Sequence, residues 1–206
     1  MTSRIALLLQ TALAFAACAA IAQSAPTPST AAAAATHAPT YVDDKLQLPA
    51  DYREWIYVST GMDMSYRLVA MPGHHMFDNV FVNPEAYRVF KQTGTWPDKT
   101  MMVLEARGAR DKGSINQHGL FQDGDLMGVE VHVKDSTRFE GGWAFFAFDD
   151  DKPAAEIKHG ADCYACHRAH AAVDTTFVQF YPTLLPIAKT ANTLSASYLE
   201  EEKKAN

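Results

Sequence analysis

From residue 129 the chain alternates, with Val129, Val131 and Val133 apolar and Glu130, His132 and Lys134 polar. A period of two sends these sets to opposite faces of a strand, so one apolar and one wet face are expected. Gly141-Gly142 leads into a second apolar run, Trp143 to Phe148, and the polar stretch from Asp135 to Glu140 can turn the chain between the two. An antiparallel hairpin is the natural joining. Met101 to Arg107, after the turn-forming Pro97-Asp98, reads as a further strand, and Val80-Phe81-Val82 as an extended segment feeding a helix. That helix opens at Asn83-Pro84-Glu85, an N-cap, a proline at the first helical position and an acid in the first turn. Ala86, Tyr87, Val89 and Phe90 give it an apolar face, and Gly94 offers the stop. Asp51 to Val58 fits either a short helix running into a strand or a strand alone. Asp162 to Ala172 reads as a helix, followed by Phe177 to Pro182 and an apolar stretch from Leu184 to Ile187.

The two ends of the chain carry other patterns. Arg4 precedes an apolar run to Ala22 that closes on Ala20-Ile21-Ala22, the layout of a secretory signal peptide over residues 1–22. A lipoprotein anchored at Cys18 is the alternative, with Phe15-Ala16-Ala17 an imperfect leader. Residues 23–45 open on Ala, Pro, Thr and Ser and read as a flexible linker, 46–195 as one domain, and the Glu-Lys ending, 196–206, as a frayed tail.

Composition narrows the partners. The formal net charge is −6, and loss of Arg4 with a signal peptide makes it one unit more negative. This balance argues against nucleic acid and anionic membrane surfaces as partners, and no stop-transfer segment predicts membrane insertion of the mature chain. A basic redox partner is compatible with this charge. Of the three cysteines, removal of Cys18 leaves Cys163 and Cys166 alone, in an exported chain. Asp149-Asp150-Asp151 reads as a solvated charge run.

That pair lies in Cys163-Tyr164-Ala165-Cys166-His167, and Cys-x-x-Cys-His is the attachment signature of a c-type haem. Each thiol can add across one porphyrin vinyl group, and His167 is placed to bind the iron. A zinc site would need a second cysteine pair, and a redox dithiol does not need the histidine. No methionine follows His167, which argues against the small electron-transfer cytochromes c, whose motif stands near the start with an axial Met downstream. The alternating strands argue against a four-helix cytochrome c′.

Several segments in order carry a resemblance: Leu48-Pro49 with Trp55, Phe81 to Ala86, Gly94 to Thr100 before a strand reaching Glu105, Gly141-Gly142-Trp143, and the Cys163 to His167 motif with Phe177 to Pro182. Over about residues 46 to 190 the chain resembles the cytochrome P-460 family, which includes the β-sheet cytochromes c′ (cytochrome c′-β). The resemblance implies an antiparallel β-sheet packed with a few helices, a homodimer, and a five-coordinate haem with an open distal side. It also implies two chemistries. Members of one kind carry a lysine bonded to the porphyrin and oxidise hydroxylamine with a distal carboxylate; the others bind nitric oxide in an apolar pocket capped by phenylalanine.

Candidates for each follow from residue type. The lysine belongs in or near the strand after the Pro-Asp turn, where Met101 to Arg107 hold none and Lys99 takes a turn position usually glycine. Glu105 and Glu130 are the candidate catalytic carboxylates, since hydroxylamine oxidation needs a base near the iron. Met76, Phe77 and Phe81 are candidates for an apolar distal wall. His170 falls on the side of the helix that carries His167, His74-His75 sits in a loop, and His118, His132 and His159 are expected at the surface or in turns. Met62, Met64, Met71, Met76, Met101, Met102 and Met127 precede the motif, mostly as core filler, and one of them over the iron would make an electron carrier. The expectation is a periplasmic α+β protein with one covalent haem c per chain on Cys163, Cys166 and His167, binding a small neutral gas or nitrogen oxide. The alternatives are hydroxylamine oxidation and six-coordinate electron transfer.

Overall fold

The computed structural model describes residues 37–65 and 75–205. The predicted signal peptide, Cys18, most of the predicted linker, Met71 and His74 lie outside the described residues.

Two short strands, β1 (Tyr41–Val42) and β2 (Lys45–Leu46), pair with each other. The main sheet is an antiparallel meander in chain order: β3 (Ile56–Met62), β4 (Met76–Val82), β5 (Met101–Arg110), β6 (Phe121–Lys134) and β7 (Trp143–Phe148). The helices are α1 (Pro84–Thr93), α2 (Asp162–His170), α3 (Leu185–Ala191) and α4 (Ala196–Ala205). The α+β class and the β6–β7 hairpin are as expected. The Asp51 to Val58 segment resolves into a 3-10 turn, Tyr52–Glu54, followed by β3.

Each face of the sheet carries its own core. On one face Val82, Met102 and Trp143 pack under Ala86 and Phe90 of α1, Ala188 of α3 and Tyr198 of α4. On the other, Val103, Val129, Val131, Val133 and Phe146 pack under Leu46, Tyr52 and Trp55 from the N-terminal segment. The expected wet face of β6 therefore holds only in part, with Glu130 exposed. Glu130, His132 and Lys134 point to the helix-bearing side, and His132 is buried.

A β-bulge decides what β3 shows to that side. Tyr57 pairs with Phe81 but Ser59 with Val80, so Val58 is the extra residue. Every later residue of β3 is thereby shifted by one, and Ser59 and Gly61 come to share a face with Val80 and Asp78.

Helix α1 ends as predicted. Gly94 has φ 72° and its N–H donates to the Phe90 carbonyl; a side chain there would also strike Ala191, 2.6 Å from the Cβ position. Asn83 does not cap the helix with its side chain; it accepts from the Met101 N–H at 2.9 Å and donates to the Lys99 carbonyl. The predicted frayed tail is likewise corrected. Residues 196–205 are α4, whose Tyr198 is buried and whose Glu201 pairs with His170 of α2 at 2.5 Å.

Glu105 lies on the face away from the helices and is only 3% exposed. Tyr52, Arg53 and Arg107 all donate to it. Burial alone would raise its pKa, but these donors and the Arg53 charge hold the carboxyl below the usual range. A depressed carboxyl stabilises the fold above its unfolded pKa, and this contribution is lost as the pH falls through the folded one. Glu105→Ala removes the shared acceptor of Tyr52 and both arginines, so urea unfolding at neutral pH should show a loss of about 2 kcal/mol. The penalty should shrink in acid, and absorption spectra of the haem-loaded protein should not change.

Candidate functional site

Helix α2 sets Cys163, Cys166, His167 and His170 at the i, i+3, i+4, i+7 spacing of one helical face. Both thiols are free and half-buried, and burial pushes both thiol pKa values up. Tyr164 points the other way, buried, with its ring edge-on to Phe145 of β7 at 4.8 Å and its hydroxyl donating to the Ile157 carbonyl at 3.0 Å. This contact ties the helix to the sheet.

The His167 ring is held on three sides. Its Nδ1 lies 2.7 Å from the Thr175 carbonyl, which can only accept, so Nδ1 carries the hydrogen and Nε2 the lone pair. Phe177 lies 4.2 Å away between ring centroids, Phe145 4.7 Å and His132 5.2 Å. Burial lowers the His167 pKa against the opposing pull of the Thr175 carbonyl. The imidazole is therefore neutral, with Nε2 available as a metal ligand. His132, stacked on Phe145 at 3.9 Å, has its pKa driven well down by burial and then by His167. Thr175 is positioned by the tight turn from Val173 to Thr176, whose Thr176 hydroxyl accepts from Trp96 Nε1 at 2.8 Å.

His167 opens onto a cleft on the helix-bearing side of the sheet, holding about 970 Å³ of empty space with its open mouth included. Val80, Met102, Leu104, Phe145, Phe180 and Tyr181 form its apolar walls, and Ser59, Asp78 and Glu130 bring polar groups to it. His167 stands against β6 and β7, while Gly61 and Asp78 are on β3 and β4. At about 4.8 Å per strand, roughly ten ångström of sheet separates the two ends.

Strand parity sorts the predicted residues. Glu130 lines the cleft. Glu105 faces the opposite core instead, because it shares the parity of Met101 and Val103. Phe77 and Phe81 are corrected for the same reason; Phe81 packs on Tyr52 and Tyr57 across the sheet. Met76 has the right parity but does not line the cleft, whose methionines are Met64 and Met102. Lys99 has φ 67° and sends its ammonium to Asp135, away from the cleft. His75 pairs with Asp63 at 2.6 Å, and His159 stacks on Tyr164. Asp78 was missed, Met64 was named only as one of several methionines, and His132 was expected at the surface or in a turn. The alternation Asp78, Val80, Val82 against Phe77, Asn79, Phe81 was the available signal for the first.

The sequence pattern of the cytochrome P-460 family matches residues 49–178, a span that includes the five-stranded sheet, most of the cleft lining and the Cys163 to His167 motif. The chain belongs to the cytochrome P-460 family. No curated protein matches it. For a cytochrome P-460 protein a haem group is implied, and the residues fit one: a neutral imidazole with a free Nε2, two thiols on the same helical face, and an apolar cleft beside them.

Asp78 is the least satisfied group of the cytochrome P-460 cleft. Its pKa is raised, first by burial and then by the charges of Glu130 and Asp63. A carboxyl whose folded pKa is raised adds nothing at low pH, where both states are protonated, and destabilises increasingly as pH rises from the unfolded to the folded pKa. Asp78→Asn should therefore raise the Tm at pH 7, and the gain should vanish below the normal carboxylate range in a pH series of thermal melts.

Proposed function

We propose that this cytochrome P-460 protein is an exported, mono-haem c-type cytochrome that binds a small neutral nitrogen oxide, such as nitric oxide, at an open iron position. In this reading Cys163 and Cys166 hold the porphyrin by thioether bonds and His167 Nε2 is the proximal ligand. The bound haem supplies an iron with a coordination position free for a small ligand. The observation that carries the reading is the extension of the apolar cleft across the strands from His167 to β3 and β4. Such walls admit neutral diatomics and disfavour anions.

The residues divide the work. The Thr175 carbonyl fixes the His167 tautomer, and Phe177 and Phe145 exclude water from its ring. Thr176, tied to Trp96, holds the loop in place. Val80, Met102 and Leu104 keep the ligand side dry.

Hydroxylamine oxidation is the second reading, favoured by the carboxylates Glu130 and Asp78 on the cleft. Against it, Lys99, the lysine candidate for a porphyrin cross-link, is engaged by Asp135.

Covalent haem attachment is tested on the purified protein. Haem should remain with the acid-denatured chain, and be released when Cys163 and Cys166 are both alanine. The reduced protein should give a high-spin spectrum that shifts on adding nitric oxide. Sharp low-spin bands, or sustained hydroxylamine-dependent reduction of an added acceptor, would overturn the gas-binding assignment.

A further inference from the structure

Asp78 is built into the cleft without the partners that the fold gives its other buried carboxylates. Glu105, on the opposite face, collects a phenol and two guanidinium donors, and Asp135 pairs with Lys99 and accepts from Thr137. Asp78 Oδ1 is buried with no hydrogen-bond partner among the described residues. A buried acceptor left unpaired carries a free-energy penalty, and in a native fold it calls for an explanation.

The cross-strand neighbours supply no donor. Register sets Gly61 of β3 on one side of Asp78 and Ala106 of β5 on the other. The space left by the missing Gly61 side chain is taken by Met64, whose Sδ sits 2.5 Å from the Cβ position, so a thioether covers this end of the cleft. The titratable groups acting on Asp78 are Glu130, from β6, and Asp63, from the turn after β3 and paired with His75. Both carboxylates favour protonation of Asp78. Its end of the cleft is also the one that lies across the sheet from His167.

We infer that Asp78 is the proton acceptor for ligands that enter the cleft as weak acids, H–X, and that it thereby distinguishes them from proton-free gases. The inference rests on the haem occupying this cleft. On entry the H–X bond breaks and an O–H bond forms on Asp78 Oδ1. The electron pair of the broken bond stays on X, which is then an anion with a lone pair for ferric iron. Nothing is oxidised or reduced, and the orphan oxygen gains its hydrogen. Nitric oxide has no proton to give, so Asp78 does nothing for its binding.

Hydrogen cyanide is the probe, since it is largely undissociated at neutral pH and must lose its proton to bind. Stopped-flow absorbance on the ferric holoprotein should show cyanide association slowed about a hundredfold in Asp78→Asn, in the range typical of a lost general base. Asp78→Glu should recover part of the rate, and Glu130→Gln should slow association far less than Asp78→Asn does. Nitric oxide association with the ferrous protein should be the same in Asp78→Asn and wild type. Unchanged cyanide association in Asp78→Asn, with nitric oxide binding intact, overturns the role of Asp78 and leaves the haem assignment standing; so does a loss confined to Glu130→Gln. A wild-type protein whose spectrum answers to neither ligand removes the haem reading and this inference with it.

Discussion

A strand offers its residues to two faces in turn, and in this sheet each face carries a core of its own. That constraint governs the rest of the molecule. Val103, Val131 and Phe146 must go to the core under the N-terminal segment, so Met102, Leu104, His132 and Phe145 are committed to the helix-bearing side, where the cleft lies. One extra residue at Val58 is enough to bring Ser59 and Gly61 onto the cleft side of β3. A one-residue slip in β6 would exchange Glu130 and His132 for valines, and the cleft would lose its polar groups and its stacking partner for His167.

This accounts for what was legible in the sequence. The hairpin, α1 with its Gly94 stop, and the motif helix were readable because periodicity and capping are local properties. The site residues were readable only where chemistry is written in one short motif, as in Cys163 to His167. Assigning Phe77, Phe81 and Glu105 to the cleft required knowing which face of a two-sided sheet each strand turns to the helices, and that is set by long-range pairing. A period of two says that Glu130 and His132 share a face, but not whether the face meets solvent. The α4 helix was unreadable for a related reason: its polar ending disguises a segment held by Tyr198 in the core and by Ser195, whose hydroxyl donates to the Ala171 carbonyl at 2.7 Å.

The carboxylates show how environment gives the same chemical group different work. Burial acts on Glu105, Asp135 and Asp78 in the same direction, raising the pKa. For Glu105 and Asp135 the donors win, and the pKa is lowered; for Asp78 no donor opposes burial. The first two serve as struts, one under each end of the sheet's connections: Glu105 ties the 3-10 turn to β5, and Asp135 ties the turn before β5 to the one after β6. A group spent on such a network has little freedom to exchange a proton. The free group is the one with chemical work available to it.

The same reasoning joins the two ends of the cleft. At the His167 end every polar contact fixes a state: Thr175 sets the tautomer, and burial of His132 and His167 keeps both rings neutral. A neutral, oriented imidazole is suited to hold a metal and cannot also serve as an acid. Proton chemistry in this cleft must therefore fall to groups elsewhere on its walls, and the described walls offer the carboxylates Glu130, open to solvent, and Asp78, half-buried with its Oδ1 out of reach of water. Solvent screens the first and damps its response to a neighbouring charge. The second, desolvated and unpaired, responds to any donor or charge brought beside it, so a ligand's arrival is felt most strongly at Asp78.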